Sequence, residues 1–111
     1  MVATITRAEL KSAMDDDAVV VLDTLGGHYY ESQHLPGAHP LVLDDVDAQA
    51  RTLVPDLSTP VVTYCSDTTC PNSTRVAMRL EQLGYTDVRK YAGGIADWTA
   101  AGLPVESIAT V

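Results

Sequence analysis

The chain has 111 residues, 46% of them hydrophobic, and a formal net charge of −8. That length suits one domain with a real core and is too short for two, so a single domain over residues 1–111 is expected. Fifteen acidic against seven basic residues and a pI near 4.5 exclude nucleic acid or an anionic membrane surface as the main partner, because both recognise a basic footprint. Two cysteines, no basic leader ahead of an apolar run, and no apolar stretch of membrane-spanning length predict a soluble, cytoplasmic protein rather than a disulfide scaffold.

No repeat, linker or low-complexity segment interrupts the chain, and the elements alternate. Thr6 and Glu9 frame a capping box that opens a short helix ending near Met14, and Asp15, Asp16 and Asp17 form a solvated turn. Residues 18–22 are a continuous apolar run bounded by Asp23, the pattern of a strand covered on both faces. Gly26 and Gly27 break the chain before a helical piece over 28–33, and the turn at 35–38 leads to a short strand over 39–43. Residues 44–54 carry Val46, Ala50 and Leu53 at helical spacing. Val61, Val62, Thr63 and Tyr64 form a β-branched and aromatic strand ending at Cys65. Pro71 can open the next helix, with Val76, Ala77, Leu80 and Leu83 on its apolar face and Gly84 at its left-handed cap. A strand over 87–91, a turn at Gly93 and Gly94, and a helix over 95–101 containing Trp98 complete the chain before Gly102 and Pro104.

Strands alternating with helices at these lengths require crossover connections, and so predict an α/β fold with a mostly parallel sheet and helices on both faces. Ligands bind such sheets at the carboxyl ends of the strands. By that rule the segments at Asp23, Cys65 and Gly93-Gly94 share a pocket. Cys65 faces a helix start, where free N–H groups and the helix dipole favour a thiolate, and the loop Ser66, Asp67, Thr68, Thr69 and Cys70 can point its amides at an anionic sulfur species. The alternative is an inert buried thiol, since free cysteines are often small apolar core groups.

The chain carries VVLD at 20–23, Tyr30-Glu31, QHLPGA at 33–38, VVTYC at 61–65, YAGG at 91–94 with Trp98, and AGLP at 101–104. In this order and spacing it resembles a single rhodanese domain. The resemblance implies a five-stranded parallel sheet flanked by helices, and a sulfurtransferase in which Cys65 accepts a sulfane sulfur as a persulfide. The partners implied are a small-molecule or protein persulfide donor and a thiol or cyanide acceptor, with no cofactor and no metal. Substrate-binding positions fall on Ser66, Asp67, Thr68, Thr69 and Cys70.

The departures are as informative. The family's loop after the cysteine is usually shorter and often offers a glycine and an arginine to a sulfonate donor; here it carries Asp67 instead, and Arg75 lies a turn into the helix. Leu25 stands where similar proteins often place an arginine. A cysteine phosphatase or arsenate reductase would need an arginine six positions after the cysteine, and that position is Pro71. Two further readings stay open: a thiol redox or sulfur-relay module cycling through a Cys65–Cys70 disulfide, and a non-catalytic rhodanese-like binding module. His34 is expected to hold the turn before Pro36 rather than a metal, Tyr29 and Tyr30 to pack, Trp98 to anchor the core, and Asp23 to orient backbone.

Overall fold

The computed structural model describes residues 2–107. Strands β1 (Ala3–Thr4), β2 (Val20–Asp23), β3 (His39–Pro40), β4 (Val61–Tyr64) and β5 (Val88–Tyr91) form one five-stranded sheet in the order β1-β5-β4-β2-β3. Every pairing is parallel. The helices are α1 (Arg7–Asp15), α2 (Gly27–Ser32), α3 (Val46–Leu53), α4 (Asn72–Gln82) and α5 (Gly94–Ala100), with a 3-10 turn at Leu43–Asp45 ahead of α3.

β4 sits between β2 and β5, and its four residues are all buried. Their side chains alternate. Val61 joins Val76, Ala77 and Leu80 of α4 and Val46 and Ala50 of α3 in one core cluster. Val62 and Tyr64 join Leu10 of α1 and Ile95 and Trp98 of α5 in the other. This is why the strand reads as an unbroken apolar run: both faces of a parallel sheet are covered. Trp98 is fully buried, donates its indole N–H to the Pro104 carbonyl, and meets Tyr91 edge to face, so it is the core anchor expected of it.

The helix ends follow their sequence signals. Thr6 and Glu9 close the capping box in both directions. Gly84 follows α4 with φ of +108°, a conformation that costs a residue bearing Cβ more than glycine. Pro71 stands one residue outside α4, as its cap, rather than at the first helical position. The expected strand over 39–43 shrinks to His39–Pro40, because the chain turns into the 3-10 segment. Nothing in the sequence pattern signals β1. Its two residues are exposed and gain their place only by pairing with Arg89 and Lys90 of β5.

Tyr64, the last residue of β4, ties three segments together. Its hydroxyl donates to Asp23 Oδ2 at 2.6 Å and accepts from the Leu35 N–H at 3.1 Å. Its carbonyl accepts from both the N–H and the hydroxyl of Thr24. Asp23 is fully buried, and burial pushes its carboxyl up, opposed by the hydrogen bonds from Tyr64 and from the Leu25 N–H. A carboxyl with a raised folded pKa holds its proton longer in the folded chain. Its contribution to stability is therefore full below the unfolded carboxyl pKa and is lost as pH rises through the folded value.

Tyr64→Phe leaves the Asp23 oxygen and the Leu35 N–H buried without their partner. It should cost about 3 kcal/mol in urea unfolding at neutral pH. Removing this donor raises the folded Asp23 pKa further, so the penalty should shrink between about pH 7 and about pH 4. A penalty independent of pH would show that Asp23 is not charged in the folded protein.

Candidate active site

The seven-residue turn between β4 and α4 begins at Cys65, which is 1% exposed. Two flanking elements hold it. At its start, the first N–H groups of α5 donate to the turn: Ile95 N to the Cys65 carbonyl at 3.0 Å and Ala96 N to the Ser66 carbonyl at 2.9 Å. Amides that a helix start leaves without intrahelical acceptors thus anchor the cysteine from outside. Beneath it, the Thr63 hydroxyl donates to the Ser73 carbonyl, fixing the first turn of α4 against β4.

Gly94 makes the α5 contact possible. Its φ is +67°, and a Cβ there would lie 2.6 Å from the Cys65 carbonyl oxygen and 2.7 Å from the Ser66 carbonyl carbon. Both facts reserve the position for glycine.

The turn is folded by its own aspartate. Asp67 Oδ1 accepts from the N–H and hydroxyl of Thr69, and the Asp67 carbonyl accepts from the Cys70 N–H at 3.3 Å. Hydrogen bonds from Thr69 hold the Asp67 carboxyl below the usual range, so it is ionised at any working pH. Two of the five amides expected to cradle an anion therefore serve Asp67 instead. Those of Ser66, Asp67 and Thr68 have no protein acceptor among the described residues. The curl brings Cys70 back, and its Sγ is bonded to that of Cys65 with the Cα atoms 6.1 Å apart. That separation lies within the range of protein disulfides.

Beside the turn lies a cleft of about 380 Å³. Leu25, Ile95 and Ala96 give it apolar walls, and Ser32, Gln33, Ser66 and Thr99 give it uncharged polar ones. Tyr29 stands at its edge, 70% exposed. Asp67 is the one charged residue in the lining.

Of the three segments expected to share a pocket, the Cys65 turn reaches this cleft through Ser66 and Asp67. The β2 end supplies Leu25, while Asp23 turns inward to Tyr64. The third contribution comes from Ile95, Ala96 and Thr99 of α5 and not from Gly93 or Gly94. Cys65, Thr68, Thr69 and Cys70 lie outside the lining. The sequence reading missed Ser32 and Gln33 of the α2 region and Ile95, Ala96 and Thr99 of α5. For the latter the signal was present: 95, 96 and 99 are the residues that one face of a helix starting at a strand's carboxyl end presents. Tyr29 corrects an expectation, for it is a rim residue exposed to solvent and not a packing one. Tyr30 does pack, stacking on His34 and donating to the Ala38 carbonyl.

His34 Nδ1 lies 2.8 Å from the Tyr30 carbonyl, and its backbone pairs with Glu106, so it binds the QHLPGA turn to the chain's end. Among the described residues, no group of three or more His, Cys, Asp or Glu is placed to hold a metal ion, and no helix is long and apolar enough to cross a membrane.

The fold, the glycine-supported turn and the cysteine at the end of the central strand agree with the family model of the rhodanese-like domain, which matches residues 6–101: the chain belongs to that family. It is 29% identical over 110 residues to an HTH-type transcriptional regulator of Mycobacterium tuberculosis, a match covering 96% of this chain and 46% of that protein. The chain thus spans about half the length of this curated relative. Among solved structures it is similar to the BH2092 protein of Bacillus halodurans, with a TM-score of 0.85 and 23% identity over 96% of this chain and 77% of that one. The rhodanese-like domain of the Alr3790 protein from Anabaena sp. gives 0.81 and 24%, covering 97% and 81% of the two chains. A thiosulfate sulfurtransferase of Pseudomonas aeruginosa gives 0.79 and 20%, covering 98% of this chain and 21% of that one. At these identities the structural likeness is one of fold.

Gly94→Ala tests how the turn is held. Strain at positive φ together with the backbone clash should destabilise the chain by about 2 to 4 kcal/mol. The amide signals of Ser66 and Asp67 should also shift. Unmoved Ser66 and Asp67 amides would show that α5 adjusts and the Cys65 turn does not depend on it.

Proposed function

We propose that the chain is a sulfurtransferase of rhodanese type, with Cys65 as nucleophile. The observation that carries this reading is the placement of Cys65 at the carboxyl end of the central strand of a rhodanese-like domain, at the start of a turn whose Ser66, Asp67 and Thr68 amides have no protein acceptor among the described residues and whose Ser66 and Asp67 border an open cleft. With the disulfide reduced by a cellular thiol, the Cys65 thiolate attacks the outer sulfur of a persulfide donor R–S–SH. The S–S bond breaks, R–S⁻ leaves, and Cys65–S–SH remains. An acceptor thiolate or cyanide then takes that outer sulfur and returns Cys65 as thiolate. The amides of Ser66, Asp67 and Thr68 and the positive end of α4 favour the anionic sulfur in both steps. No general base is required once the thiol is ionised. A reducing cytoplasm suits this cycle, because it keeps Cys65 available.

After reduction and incubation with a persulfide donor, intact-mass measurement should show one added sulfur on the protein, and Cys65→Ser should show none. Equal sulfur uptake and transfer by Cys65→Ser would refute the assignment.

A second reading rests on the closeness of Cys70. The Cys70 thiolate can attack Sγ of a Cys65 persulfide, forming the Cys65–Cys70 disulfide and expelling HS⁻; two equivalents of an external thiol then restore the pair. This would make the domain a thiol redox or sulfur-relay module. Mild oxidation followed by peptide mapping should yield an intramolecular Cys65–Cys70 disulfide that dithiothreitol reverses. Recovery of Cys65 as sulfinic acid beside a free Cys70 thiol would exclude the resolving role.

A further inference from the structure

Resting on the sulfurtransferase reading, we infer that the cleft selects a small alkyl persulfide bearing an ammonium group, and disfavours anionic donors such as thiosulfate. Three observations converge on this class.

First, Asp67 is the sole charge in the cleft lining, with no lysine, arginine or histidine to bind an anion. Anionic sulfur donors are ordinarily held by a cationic, often bidentate, side chain, and no side chain in the lining supplies one. Second, the same aspartate occupies the Thr69 N–H, and its carbonyl occupies the Cys70 N–H, so the turn has fewer amides for a bulky oxyanion. The remaining amides suffice for a single sulfur. Third, the shape is wrong for a small inorganic ion. A cleft of about 380 Å³ walled by Leu25, Ile95 and Ala96 has room and apolar surface for a carbon chain. At its rim the exposed ring of Tyr29 adds an electron-rich face that attracts an organic cation. The chain's net charge of −8 further lowers the encounter rate with anions and raises it with cations.

The sulfur step is unchanged. Cys65–S⁻ attacks the outer sulfur of ⁺H₃N–R–S–SH, giving Cys65–S–SH and the zwitterionic thiolate ⁺H₃N–R–S⁻. The ammonium group takes no part in bond making; held at Asp67, it brings the S–S bond to the turn that begins at Cys65.

The test uses the reduced chain and three donors: cysteamine persulfide as the cation, 3-mercaptopropionate persulfide as an anion without an ammonium group, and thiosulfate. The observable is the rate at which Cys65 gains one sulfur by intact mass. Cysteamine persulfide should load Cys65 several-fold faster than either anion, and the advantage should shrink as salt is raised. Asp67→Asn should bring the rates together, and Asp67→Arg should lower the apparent KM for thiosulfate. Equal or faster loading from thiosulfate would overturn the donor class and leave the sulfurtransferase reading standing.

Loading from no donor at all would instead overturn the sulfurtransferase reading. A binding measurement keeps the cleft's preference testable in that case. S-methylcysteamine should shift the amide signals of Ala96 and Thr99 while methanesulfonate does not. Shifts from methanesulfonate alone, or from neither compound, would overturn the inference.

Discussion

The buried hydroxyl of Tyr64 is the joint on which the site end of the sheet depends. It donates to Asp23 at the end of β2 and accepts from Leu35 in the turn before β3, while the Tyr64 carbonyl takes both donors of Thr24. A buried carboxylate is costly unless its oxygens are hydrogen-bonded, and hydrogen bonds are directional. Few relative placements of these three segments satisfy Asp23, Tyr64 and Leu35 together. The next residue after this joint is Cys65. Its position is therefore set in part by a polar contact one residue earlier, with the α5 amides holding the turn from the other side.

The loop settles a different matter, the state of the sulfur. Asp67 curls it, and the curl brings Cys70 to Cys65. With that bond closed and Cys65 1% exposed, the sulfur cannot attack a donor. On the proposed reading, the pair must be reduced before Cys65 can take up sulfur, and a persulfide and an oxidant would then compete for the reduced pair.

What the sequence disclosed, and what it hid, follows from where each signal originates. β4 and α4 were legible to within a residue, because burial on both faces and on one face respectively leave strong patterns in residues 61–64 and 76–83. The capping box at Thr6 and the left-handed cap at Gly84 are local chemistry and read directly. β1 was invisible. Two exposed residues have no periodicity, and they become a strand only because β5 presents an unpaired edge. The place of Cys65 at the end of β4 was legible from the strand before it, and the close approach at Gly94 only in part. The cleft lining on α2 and α5 was hidden, since those residues are chosen by how two helices sit over one end of the sheet. Tyr29 was misjudged for the same reason: a tyrosine on a six-residue helix looks alike whether its ring faces core or solvent.

Placing Cys65 and lining the cleft fall to different parts of the chain. The elements that place Cys65 are backbone: the end of β4, the α5 amides on the Cys65 and Ser66 carbonyls, and the close approach allowed by Gly94. The elements that line the cleft are side chains on neighbouring segments: Leu25, Tyr29, Asp67 and one face of α5. A change at Leu25 or Tyr29 alters what the cleft prefers without moving Cys65. Asp67 belongs to both groups, for it folds the turn through Thr69 and sets the charge of the cleft. Replacing it with arginine removes the hydrogen-bond acceptor as well as inverting the charge. Asparagine keeps an acceptor for Thr69 while removing the charge, so it separates the two roles that the native residue combines.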